Sequence, residues 1–159
     1  MTPLQDRQRR FATYLWKGFP DKKLPGWSMA GAAAVTGNAT MENQCLPITM
    51  GTKDHGSDGI LQWRLARLRN MKSWCIKEFG IWSNLEAQAA FTLYETAKDL
   101  PGLDHDLRAG KLGVRALAEE FCRQFERPNM LLAHVAQRQD AAEATLALLK
   151  EVQNGGNGH

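Results

Sequence analysis

The run Met29-Ala30-Gly31-Ala32-Ala33-Ala34-Val35-Thr36-Gly37-Asn38-Ala39-Thr40-Met41-Glu42-Asn43 constrains this chain more than any other stretch. Alanine is the strongest helix former, and Ser28 offers a capping oxygen just before the run. The composition therefore predicts a helix over 29–43 despite Gly31 and Gly37. Steps of three and four residues put Met29, Ala32, Val35, Thr36, Ala39 and Glu42 on one face. Side chains this small let a neighbouring helix approach closely. One isolated carboxylate, Glu42, stands at the end of that stripe.

The rest of the chain supplies candidate neighbours. Leu4, Phe11, Leu15 and Trp16 recur at roughly helical spacing and predict an amphipathic first helix over 4–16, broken by Gly18-Phe19-Pro20 and Leu24-Pro25-Gly26. Residues 45–57 hold Pro47, Gly51, Gly56 and the polar run Lys53-Asp54-His55, which reads as an irregular loop or a short hairpin. Ile60 to Trp63 fits a short strand or the start of the next helix, in which Leu65, Leu68, Met71, Cys75 and Phe79 keep helical spacing. Ser83 or Asn84 caps a further helix carrying Ala87, Ala90, Phe91 and Tyr94 on one face, with Pro101-Gly102 as its end. A turn or short helix over 103–108 precedes the periodic segment Val114, Leu117, Ala118, Phe121, Cys122 and Phe125, which Pro128 stops. A last helix carries Leu132, Val135, Ala142, Leu146 and Leu149. The expectation is a mainly α domain over 1–152, with at most a small β-hairpin or irregular loop, and a flexible tail over 153–159.

A chain of 159 residues fits one domain, and 43% hydrophobic with 23% charged residues excludes extensive disorder. A net charge of +3 tilts the protein toward anionic polymers but falls short of a nucleic-acid-binding domain, so no nucleic acid is expected as a partner. No apolar run approaches the roughly 18 residues of a membrane span, and the polar stretch over 1–10 lacks the core of a secretory signal. Synthesis in the cytoplasm without a signal peptide is expected. Cys45, Cys75 and Cys122 stand singly and read as reduced, buried thiols. With His55, His105 and His134 they form no metal-ligand spacing, so neither a metal nor another cofactor is expected.

Glu42 is the residue with chemical promise. On an inward stripe its carboxylate loses water, and at a helix C-terminus it meets partial negative charge; both effects favour the protonated acid. A carboxylic acid near neutral pH is what glycosidic cleavage requires, because the leaving oxygen departs poorly unless it is protonated. The plain alternative is a surface glutamate, or one paired with an arginine at a helix end.

Glu42 also has neighbours in sequence. Gly37-Asn38, then Glu42, a polar loop, Gly56-Ser57-Asp58-Gly59-Ile60-Leu61-Gln62-Trp63 and an arginine-bearing helix follow in that order. Leu85-Glu86-Ala87-Gln88 runs on to Phe91-Thr92-Leu93-Tyr94-Glu95, and Phe125-Glu126-Arg127-Pro128 comes later. Over about 29–142 this order resembles the phage tail lysozyme group of the lysozyme-like superfamily. The resemblance implies a helical lysozyme fold and peptidoglycan as substrate, with Glu42 as catalytic acid of a muramidase or a lytic transglycosylase. It also implies action in the periplasm or cell wall, phage tail or virion components as partners, and a monomer in isolation.

The chain departs from the family pattern at Asn43, where serine is common, and at Asp58, where a small or aromatic residue is usual. These departures leave room for a non-catalytic, glycan-binding or assembly module. If the protein is a hydrolase, Asp58 or Asp54 is the candidate second carboxylate, as a base about 6.5–9.5 Å from the acid or a nucleophile at about 5–5.5 Å. Ser57 and Gln62 fall where the family lines its cleft floor and are candidate substrate-binding residues. Trp63 and Tyr94 are candidates for stacking on sugar or orienting Glu42, with a core role as the alternative. Arg64, Arg67 and Arg69 either meet peptide carboxylates or form a solvated helix face.

Overall fold

The computed structural model describes residues 1–48, 56–126 and 134–156. Among these residues the elements are α1 (Pro3–Lys17), α2 (Met29–Asn43), β1 (Ser57–Asp58), β2 (Trp63–Arg64), α3 (Leu65–Phe79), α4 (Leu85–Asp99), α5 (Pro101–Ala109), α6 (Val114–Phe121) and α7 (Val135–Gly155). Asp54, His55, Pro128 and Leu132 lie outside the described residues, as do 157–159 of the expected tail.

The alanine-rich segment forms α2 over the predicted residues. Ser28 Oγ accepts the Gly31 N–H at 2.9 Å, and the helix stops where Gln44 turns left-handed at φ 51°. Every residue from Gly31 to Ala39 is buried, so the expected one-sided stripe is too narrow. With alanine and glycine on most faces, α1, α5, α6 and α7 all pack against α2. Its two glycines mark close approaches: a Cβ on Gly31 would lie 2.2 Å from the Leu107 carbonyl oxygen on α5, and one on Gly37 2.5 Å from the Arg138 carbonyl oxygen and 2.6 Å from the Ala142 nitrogen, both on α7.

A second enclosed helix, α4, is capped by the Asn84 side chain on the Ala87 N–H at 2.8 Å. Its expected single face is also exceeded, since Ala87 through Leu93, Glu95 and Thr96 are all buried. Pro101 acts differently from the expectation. Helix α4 already ends at Asp99, and Pro101 opens α5, where a missing N–H breaks no helical bond.

Between α2 and α3 the chain makes a small antiparallel hairpin, with Ser57 opposite Arg64 and Asp58 opposite Trp63. Gly59 has φ +87°, and any Cβ on it would press on the Trp63 ring at 2.9 Å, so the turn needs glycine twice over. The segment expected as one helix from Val114 to Phe125 is α-helical only to Phe121. It continues as a π-helical turn, Cys122–Glu126, in which the Phe121 and Phe125 rings stack at 4.4 Å. Helix α7 runs to Gly155, past the expected end at Val152. The three cysteines are buried and form no disulfide; burial pushes the Cys45 and Cys75 thiols up to about 12, which keeps them unreactive.

Candidate active site

Glu42 sits in the last turn of α2, where the helix leaves the core, and its side chain is 18% exposed. It lines an open pocket of about 370 Å³ with Met41, Asn43, Gln44 and Leu46. The carboxylate is not alone there. Arg138 of α7, only 3% exposed, donates from Nη2 to Glu42 Oε1 at 2.6 Å. Its other arm, Nη1, donates to Asn38 Oδ1 at 3.0 Å and to the Asn38 carbonyl at 3.4 Å. Asn38 is in turn fixed by its amide, which donates to the carbonyls of Ala34 and Ala118, each at 3.0 Å. Among the described residues Glu42 Oε2 has no hydrogen-bond partner.

The residue after Glu42 ties the helix end to the hairpin. Asn43 Nδ2 donates to the Leu46 carbonyl at 2.9 Å and to the Gly59 carbonyl at 3.3 Å. Glu42 and Asp58 are thus each one residue from the same inter-segment hydrogen bond. Asp58 is half-buried and its Oδ1 accepts the N–H of Gly59 at 2.7 Å, a local turn-shaping contact. Ser57 is half-buried on β1 beside it. Gln62 turns inward on its own loop: its backbone N–H and its Nε2 both donate to the Gly59 carbonyl, at 3.1 and 3.0 Å.

Trp63 corrects the expectation of a sugar-stacking ring. It is 1% exposed, its indole N–H donates to Glu95 Oε1 at 3.0 Å, and its ring meets Phe91 edge-on at 5.6 Å. A ring with both faces covered by protein has none left for a sugar. Tyr94 is half-buried and stacked on Trp74 at 5.0 Å, lining a separate groove of about 310 Å³ between α3 and α4. Arg67 points back to the protein: it binds Glu95 at 2.7 Å, reaches the Phe125 carbonyl and lies over the Phe125 ring at 4.5 Å. Arg64 and Arg69 are exposed.

Three residues of this region escaped sequence reasoning: Asn38 as a network member, Arg138 and Glu95. A signal existed for Arg138. It stands at helical spacing with Ala142, Thr145 and Leu149 on the buried stripe of α7, and a charge on such a stripe demands a partner.

A mainly helical domain built around two buried helices, with a hairpin after the first and a glutamate on a pocket at that helix's end, defines a lysozyme-like fold. The phage tail lysozyme family matches residues 11–149, and the chain belongs to that family. No curated protein and no solved structure matches the chain. The membership makes this a phage lysozyme-like protein of the glycan-cleaving kind, for which the family implies peptidoglycan and action on the cell wall. Among the described residues no helix is long and apolar enough to cross a membrane.

Proposed function

We propose that the protein cuts the glycan strand of peptidoglycan as a muramidase, with Glu42 as general acid. The supporting observation is the placement of Glu42: on a rigid buried helix, at the helix end, with one oxygen held and the carboxylate lining a pocket. Protonated Glu42 gives its proton to the bridging oxygen as the bond to the anomeric carbon breaks. In hydrolysis a water, activated by Asp58, then supplies the oxygen at that carbon. Asp58 suits this role because Asn43 links the two segments at Gly59. In lytic transglycosylation the sugar's own hydroxyl closes on the anomeric carbon and gives its proton to the Glu42 carboxylate, which acts as acid and then base, so Asp58 is not needed. Mass spectrometry of digested sacculi separates the two: a reducing end marks hydrolysis, an anhydro end transglycosylation. Ser57 and Gln62 bind substrate at the hairpin, and Tyr94 contributes beyond it. The protein works as a monomer on the periplasmic or wall side, carried with phage tail or virion components.

One observation favours a second reading. The Glu42–Arg138 ion pair is also a sound tether between α2 and α7, as a non-catalytic glycan-binding module would retain. Under that reading purified protein sediments with sacculi and releases no soluble fragments. Fragment release that disappears in Glu42→Gln, with the thermal midpoint kept, rules it out.

A further inference from the structure

We infer that Arg138 is a positioning residue for the reaction: it fixes which oxygen of Glu42 carries the transferable proton and supplies the counter-charge when that proton leaves. The inference rests on Glu42 acting as the acid.

The guanidinium carries only N–H donors. With Nη2 at 2.6 Å from Oε1, a proton on Oε1 would be set against a donor hydrogen, so protonated Glu42 carries its proton on Oε2. Oε2 is the oxygen without a partner among the described residues, on a side chain that lines the open pocket. The bound arginine thereby selects one of two chemically equal oxygens.

The same contact acts during the reaction. As the proton passes from Oε2 to the bridging oxygen, the electron pair of the breaking bond stays with that oxygen and Glu42 becomes a carboxylate. The new negative charge develops 2.6 Å from a cation that is already in position and nearly excluded from water. Counted from protonated Glu42, this stabilisation grows as the bond breaks and lowers the barrier of that step; the same cation favours the carboxylate beforehand, so it also opposes uptake of the proton that Glu42 transfers.

Two features keep Arg138 in position. Asn38, one helical turn before Glu42, grips the second arm of the guanidinium and is itself locked by Ala34 and Ala118. Gly37 lets the α7 backbone approach close enough for Arg138 to reach across α2. Arg138 Nε is buried and unbonded, so the fork is directed wholly by its two terminal nitrogens.

The test measures kcat and KM on a defined glycan-strand oligomer, with the thermal midpoint as a fold control. Arg138→Lys keeps a cation but cannot span Asn38 and Glu42 together. Its kcat is expected to fall about tenfold or more with KM unchanged, and that of Arg138→Met roughly 10²–10³-fold, the scale for losing one preorganised donor. Arg115→Gln, which removes the exposed ion pairs from α6 to Asp140 and Glu143 on α7, should leave both constants unchanged. Folded Arg138→Lys or Arg138→Met with the kcat of the parent overturns the inference; if Arg138→Met does not fold, Arg138→Lys decides alone. Activity retained in Glu42→Gln instead defeats the acid assignment on which the inference stands, so the two failures are read separately.

Discussion

Glu42 and Glu95 are both helix carboxylates gripped by an arginine, and they differ in what the grip leaves over. Glu95 is spent on structure: Oε1 takes the Trp63 indole and Arg67 Nη2, and Oε2 takes Arg67 Nε at 3.3 Å. Its side chain is 7% exposed, and its arginine is the exposed partner at 44%. At Glu42 the order is reversed. The arginine is buried at 3%, the glutamate is the partner nearer solvent at 18%, and among the described residues only one oxygen is engaged. A carboxylate with both oxygens committed can brace a hairpin against a helix. One with a free oxygen on a pocket can also exchange a proton.

The comparison breaks most readily at Glu42 itself. Glu42→Gln should lower release of soluble fragments from sacculi by roughly 10²–10⁴-fold, the range for a positioned general acid, while a thermal melt stays close to that of the parent. Glu95→Gln should do the reverse. Loss of the charge beside Arg67 and of the best acceptor for Trp63 should cost about 1–3 kcal/mol in urea unfolding, allowing for the exposure of Arg67. Activity measured well below that variant's midpoint should largely remain. If Glu95→Gln instead abolished activity in a folded protein, the division between the two glutamates would fall.

Smaller effects sharpen the same contrast. Gly37→Ala should cost about 1–3 kcal/mol, because its Cβ overlaps the α7 backbone, and should lower kcat by displacing Arg138. Asn43→Ala should cost about 1 kcal/mol in a denaturant titration through its bonds to Leu46 and Gly59, with a modest fall in activity.

The smallest expected effect concerns Glu120, a carboxylate that among the described residues has no arginine ion pair. Burial first, then a hydrogen bond to Asp106 and the negative charge of that residue, push Glu120 up to about 7. A raised folded value means the native state holds a proton that the unfolded chain has released. This contribution to stability is therefore full below about pH 4.5 and is lost as pH rises toward 7. Glu120→Gln should flatten the fall in denaturant midpoint over that window without touching the activity of Glu42.

Much of the fold was legible because it is local. The alanines of α2, the caps at Ser28 and Asn84 and the glycine turn at Gly59 act within a few residues, and α2 and α4 formed close to their predicted bounds. Two misreadings have one cause. A single apolar face was expected for α2 and for α4, but small side chains permit contact on every side, and only the packed structure shows how many neighbours arrive. Pro101 was legible as a breaker and ambiguous as to which helix it served.

The site divides along the same line. The sequence by itself determined that a carboxylate would end the central helix, that a glycine-punctuated loop or hairpin would follow, and which family pattern the two belong to. Tertiary structure decided the rest. It brought Arg138 across 96 residues to Glu42, buried Trp63 against Glu95 instead of leaving it for a sugar, and joined Asn43 to Gly59. Helix periodicity and capping are properties of neighbouring residues and can be read along the chain. The partner of a buried charge is set by which helices meet, and that is fixed only when the core closes.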